Sequence, residues 1–192
     1  MSLIGSILEH NQQFVADRKY EHIARARGPG KKMVVLTCMD ARLVELLPPA
    51  MNLERGDAKI IKSAGAVVSH AFGSIMRSIL VAVYSLGVEE IAVVGHHDCG
   101  MTGLSCGRIL ESATQRGVRP EVIETLASAG IDLQKWLQGF AHPREGVIGS
   151  VELIRRHPLL PKGFPVHGLL IDPDTGKLEV VAEGYGGRHE GT

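Results

Sequence analysis

Three residues of this chain have the types and placing to hold a soft divalent metal: Cys38, His96 and Cys99. Cys99 lies three positions after His96, so both side chains can face one ion from a loop or a first helical turn. Two thiolates and one imidazole suit zinc in softness and geometry. Structural zinc sites are closed by four protein ligands, whereas three leave a position for water or substrate, as catalytic sites require. Singly, each cysteine would read as a small buried hydrophobe and the histidine as a core residue; the three together read as metal ligands. Cys106 is the rival fourth ligand, but it lies past Gly103 without a partner at local spacing and reads as an inert thiol. Asp40 and Arg42 flank Cys38. If the chain stays extended there, alternation puts Cys38, Asp40 and Arg42 on one side. Asp40 is then either a fourth ligand or an acceptor for a metal-bound water, with Arg42 holding it ionised. His97 and Asp98 read equally as proton relays or bystanders, His70 is placed to reach the site, and His142, His157 and His167 have no spacing that singles them out. Neither a phosphate-binding glycine loop nor a Gly-x-Ser-x-Gly elbow occurs.

Elements far apart in sequence must deliver these residues to one place. Met33–Thr37 is a continuous apolar run rich in β-branched residues, as in a strand buried on both faces of a parallel sheet. Residues 59–62 and 91–94 are the next two strands. Between them, Ile75, Met76, Ile79, Leu80, Val83 and Leu86 fall at helical spacing and Gly87 stops the helix. Strand, helix, strand predicts a right-handed parallel crossover. Cys38 follows the first strand, and His96 and Cys99 follow the third. Ligands of open parallel sheets bind at the carboxyl ends of strands near the switch point, so independent reasoning brings the three together. Residues 100–143 read as helical, with segments at 120–129 and 132–140 and Asp132 as an N-cap. A further helix over 146–156 stops before Pro158. A hairpin closes the chain, with strands at 166–172 and 178–182 around Pro173-Asp174-Thr175-Gly176. The expected fold is therefore α/β, a mostly parallel central sheet flanked by helices, with the C-terminal hairpin adding an antiparallel edge strand. Residues 1–30 read as an N-terminal helical arm, its apolar points being Leu3, Ile7, Phe14 and Ile23 before Gly28-Pro29-Gly30. Residues 31–192 read as a single zinc-binding catalytic domain, with the glycine-containing tail from Gly184 loose unless a partner holds it.

The chain has 192 residues, and its 21 basic and 21 acidic residues balance to zero net charge, which argues against nucleic acid or an anionic membrane as partner. Three cysteines are too few and odd for a disulfide scaffold and point to a reducing compartment. The apolar start is broken by Glu9, His10 and Asn11 with no basic segment before it, and no run of about 18 apolar residues exists. A cytoplasmic protein is expected.

Cys38-Met39-Asp40-Ala41-Arg42 and Gly95-His96-His97-Asp98-Cys99-Gly100 resemble the two signatures of the β-class carbonic anhydrases. Lys62-Ser63-Ala64-Gly65-Ala66-Val67 is similar to that family's loop after its second strand. Ser150-Val151 through His157-Pro158-Leu159-Leu160-Pro161, with the closing hairpin, resembles its shorter bacterial branch. The resemblance implies zinc on Cys38, His96 and Cys99, and an Asp40–Arg42 dyad that gates it, with Asp40 a fourth ligand in a closed state. It implies reversible hydration of carbon dioxide to bicarbonate and a proton by zinc-bound hydroxide, in a homodimer or homotetramer. Ala41 stands where a serine is common and Ser63 where an asparagine is common. Rival readings are a carbonyl sulfide or carbon disulfide hydrolase on the same scaffold, and a non-catalytic zinc-binding protein. A thiol redox protein would need the Cys-x-x-Cys spacing that is missing here.

Overall fold

A computed structural model describes residues 2–22 and 30–185. The first helix, α1 (Leu3–Ala16), is capped by Ser2, whose hydroxyl accepts from the Gly5 amide. It buries none of its residues. A 3-10 turn follows at Lys19–His22. The expected roles of Ile23, Gly28 and Pro29 lie outside the described residues.

The sheet has five strands: β1 (Met33–Cys38), β2 (Ala58–Ser63), β3 (Glu90–His96), β4 (Val166–Ile171) and β5 (Leu178–Ala182). Their order is β2-β1-β3-β4-β5, and only the β4–β5 pair is antiparallel. After β1 the chain steps to one side to make β2. Then α3 (Ser74–Leu86) returns it across β1 to make β3 on the other side. The direction of winding therefore reverses between β1 and β3, the place where an open sheet leaves a crevice. Every residue of β1 except Met33, and of β3 except Glu90, is buried, which explains their unbroken apolar runs.

Two apolar layers cover the sheet. Val34, Leu36, Ile91 and Val93 pack with Met76 and Ile79 of α3 and with Val147, Val151 and Ile154 of α7 (Pro143–Arg155). Val35, Ala92, Val94 and Ile171 pack with Leu43 and Leu47 of α2 (Leu43–Ala50), and Cys38 and Cys99 belong to this second layer. Gly95 lets α7 lie close to β3, since a Cβ there would come within 2.6 Å of Val147 Cγ2. The middle of the chain supplies α4 (Cys106–Gln115), α5 (Pro120–Ser128) and α6 (Leu133–Leu137). Asp132 caps α6 as expected, accepting from the Lys135 amide at 2.9 Å. That helix ends earlier than its periodicity suggests because Gln138 is extended and Phe140 bridges to Thr102. The tail is not loose where it begins. Gly184 N–H donates to His167 Nδ1 at 3.1 Å and Tyr185 OH donates to Glu90 at 2.5 Å; the residues after Tyr185 lie outside the description.

Candidate metal centre

Cys38 is the last residue of β1 and His96 the last of β3, and these strands are neighbours in register, Thr37 opposite Val94. The turn after β3 then brings Cys99 back. One ligand-type atom from each of Cys38, His96 and Cys99 lies within 4.8 Å of the others, and all three residues are buried. Among the described residues this is the one cluster of three or more His, Cys, Asp or Glu groups so arranged.

The local chemistry fits a thiophilic cation. The two sulfurs are 4.0 Å apart; tetrahedral zinc with bonds of about 2.3 Å would place them roughly 3.8 Å apart. His96 Nδ1 donates to the His97 carbonyl at 2.8 Å, which leaves the lone pair on Nε2. That Nε2 is buried and has no hydrogen-bond partner among the described residues. Buried polar atoms are rarely left so, and a metal ion would satisfy it. Burial pushes the Cys38 thiol up, but the neighbouring His96 ring and the backbone N–H groups of Asp40 and Gly65 outweigh it, so its pKa falls below the ordinary thiol range. Burial raises Cys99, and the nearby Cys38 and Asp40 raise it further against the Met101 N–H. Two adjacent thiols cannot both ionise easily by themselves; a divalent cation between them removes that conflict. Gly65 is required here. It has φ +69°, and a Cβ would come within 2.8 Å of the Phe140 ring. Ser150 fastens the loop from behind, accepting from Val68 N–H and donating to the Ala66 carbonyl.

Asp40 and Arg42 meet, but not on an extended chain. Residues 41–42 turn, Arg42 is in the right-handed helical region at the start of α2, and alternation along a strand is not what pairs them. The Arg42 backbone N–H and Nε both donate to Asp40 Oδ1, at 2.9 and 3.1 Å, and Nη2 donates to Oδ2 at 2.9 Å. These hydrogen bonds, from the Arg42 side chain first, hold the Asp40 carboxyl down at about 2. Asp40 Oδ2 also lies 3.8 Å from His96 Nε2, so the carboxylate faces the cluster. Arg42 has a second partner that sequence reasoning missed: Nη2 donates to the Asp98 carbonyl at 3.1 Å and Nη1 to Asp98 Oδ2 at 3.3 Å. The remaining candidates stay apart from the cluster. Cys106 is buried at the start of α4 and outside the group. His70 is exposed and turned to Phe72, whose amide it accepts; His157 is buried and accepts from the Leu159 amide; His142 is an exposed helix N-cap.

A family described as carbonic anhydrase matches residues 33–178, most of the chain. The chain belongs to the β-class carbonic anhydrases. It is an enzyme of that class. It is 58% identical over 185 residues to the Bacillus subtilis protein named "Putative carbonic anhydrase YvdA", covering 96% of this chain and 94% of that one. The β-carbonic anhydrase isoform I of Trichomonas vaginalis superposes with a TM-score of 0.84 at 38% identity, over 96% of this chain and all of that chain. A carbon disulfide hydrolase of Acidithiobacillus thiooxidans is more distant, 28% identical over 77% of this chain and 76% of its own. No helix among the described residues is long and apolar enough to cross a membrane.

Proposed function

We propose that this carbonic anhydrase hydrates carbon dioxide reversibly to bicarbonate and a proton at a zinc ion held by Cys38, His96 and Cys99, with Asp40 and Arg42 as the catalytic dyad. The observation that carries the ligand set is the buried His96 Nε2, without a hydrogen-bond partner among the described residues and gathered with two buried thiols. A bound zinc ion supplies the nucleophile by lowering the pKa of a coordinated water to about 7. The protein's residues do the rest. Arg42 grips both oxygens of Asp40 through Nε and Nη2 and keeps it ionised. Asp40 Oδ2, facing the cluster, accepts a hydrogen bond from the attacking oxygen and so turns its lone pair toward carbon dioxide. The apolar loop from Ala64 to Val68 forms one wall for the substrate, and the proton leaves to bulk water. Release of Asp40 by Arg42 would let the carboxylate take the open ligand position and close the site.

We further propose a location, a domain division and an assembly. The enzyme acts in the cytoplasm, in keeping with three free cysteines. Residues 1–30 form an arm separate from the catalytic domain over 31–192, and the assembly is a homodimer or homotetramer. The exposed apolar side chains of α1 (Leu3, Ile4, Ile7), of α3 (Val81, Tyr84) and of the turn before it (Phe72) support that assembly. Light scattering that finds only monomers would exclude it.

Stopped-flow carbon dioxide hydration on protein of known zinc content tests the main reading, with carbon disulfide hydrolysis assayed in parallel. Hydration well above buffer at about one zinc per chain is the expected result. Turnover of carbon disulfide alone would transfer the site to the other substrate, and turnover of neither would leave a zinc-binding protein.

A further inference from the structure

Arg42 is a bridge. Its inner edge holds Asp40, two residues away on the same turn, while its outer edge reaches the turn that follows β3. A pair two residues apart can swing as one body. What fixes the Asp40 carboxylate relative to His96 is therefore the link from Arg42 to the β3 side, and among the described residues that link is made by Asp98. Asp98 has φ +53°, a conformation that aspartate and asparagine adopt more readily than most residues. The turn it makes aims its own carbonyl at Arg42 Nη2, and its carboxylate accepts from Nη1.

We infer that Asp98 is a positioning residue, whose left-handed backbone and side chain anchor the outer edge of Arg42 and thereby hold Asp40 off the metal ligands. This rests on the proposed function. The carbonyl contact is the larger part of the anchor. The carboxylate contact is long, at 3.3 Å, and the Asp98 side chain is 88% exposed, so solvent screens it. The Arg42 side chain is itself 40% exposed and would otherwise sample several rotamers. Asparagine at this position keeps the backbone conformation and an acceptor. Alanine loses the acceptor and tolerates the positive φ poorly.

The test compares wild type with Asp98→Ala and Asp98→Asn. The readout is the nitrogen-15 relaxation of the Arg42 Nε–H by NMR, in metal-free and zinc-loaded protein, together with kcat at fixed pH and zinc content. Restrained Nε–H in wild type and in Asp98→Asn is expected, with averaging to the range of free surface arginines in Asp98→Ala. The alanine variant should retain zinc and lose about tenfold in kcat, the scale of a lost outer-shell partner. Crystals of zinc-loaded Asp98→Ala should show Asp40 nearer the metal. Asp98→Gly separates the two contacts and is the second variant if alanine is unstable: glycine accepts the positive φ and keeps the carbonyl but lacks the carboxylate, so Arg42 should stay mostly restrained. An Arg42 Nε–H as restrained in the alanine variant as in wild type, or one fully mobile in the glycine variant, would overturn the inference. So would asparagine failing to restore the restraint. Wild-type protein without zinc or without hydration activity would instead defeat the proposed function, while the metal-free NMR comparison would still decide whether Asp98 anchors Arg42.

Discussion

His96 at the end of β3 and His167 near the start of β4 each bury an Nε2 atom without a hydrogen bond among the described residues, yet they are prepared for opposite tasks. They stand at opposite ends of the parallel sheet, since His167 pairs in register with Ala92 and His96 with Ile171. His96 Nδ1 faces a carbonyl and must carry the proton, so Nε2 is a lone pair. His167 Nδ1 accepts the Gly184 amide, so in the neutral ring Nε2 carries the proton and points toward Glu90, 3.5 Å away. Tyr185 closes over it, edge to face at 4.8 Å, and also donates to Glu90. One ring keeps a lone pair for a cation, the other turns an N–H toward a carboxylate. The partner of Nδ1 decides which, and burial by itself decides neither.

The sharpest way to break this contrast is to remove ligands. His96→Ala or Cys99→Ser should take zinc from about one per chain to a small fraction of that, with hydration close to the uncatalysed rate. Elemental analysis and stopped-flow kinetics on the same samples check this. His167→Ala should leave zinc and turnover in place and cost roughly 1–2 kcal/mol of stability through lost packing and the freed Gly184 amide, read by chemical denaturation. Zinc loss in the His167 variant would abolish the distinction between the two ends.

How far each histidine could be understood beforehand differs for the same reason. His96 was legible because Cys99 follows at ligand spacing and both come off a strand whose neighbour ends in Cys38. The role of His167 depends on the backbone amide of Gly184, which no side-chain pattern advertises. The N–H groups of Asp40, Gly65 and Met101 that tune the thiols were invisible for that reason too. The parallel strands and the closing hairpin were legible because burial on both faces leaves continuous apolar runs and the turn is marked by Pro and Gly. Helix α2 was not foreseen. It carries Pro48 and Pro49 in its last turn, a residue type that ordinarily ends helices, and it is held by Leu43 and Leu47 packing on the sheet. The Asp98–Arg42 contact needed both a positive φ and the proximity of two strand ends, neither of which local spacing reveals.

Smaller effects sharpen the account within the site. Asp40→Ala should keep zinc and lower turnover by about 10- to 100-fold, because it removes the acceptor without touching a ligand. Near-wild-type hydration at every pH would make Asp40 a bystander. The pH response follows from a carboxyl held at about 2. Asp40's folded pKa is depressed, so its pairing with Arg42 is fully present above the ordinary carboxylate value of about 3.9 and is lost only as pH falls through about 2. Asp40 thus stays an ionised competitor for the metal across the working range. Turnover should rise with pH from neutral to mildly alkaline in wild type, and the fall toward acid should be shallower in Asp40→Ala. Smallest of all, Cys106→Ser should retain zinc and activity and cost about 1–2 kcal/mol for placing a hydroxyl where a buried thiol was.

The central claim is that Cys38, His96 and Cys99 together make one zinc site that drives hydration. It is tested most directly by stripping the wild-type protein of metal and following carbon dioxide hydration by stopped flow as zinc is returned. Activity should climb linearly and level off at about one zinc per chain. Activity that is already present in stripped protein, or that is absent when one zinc per chain is bound, would contradict it.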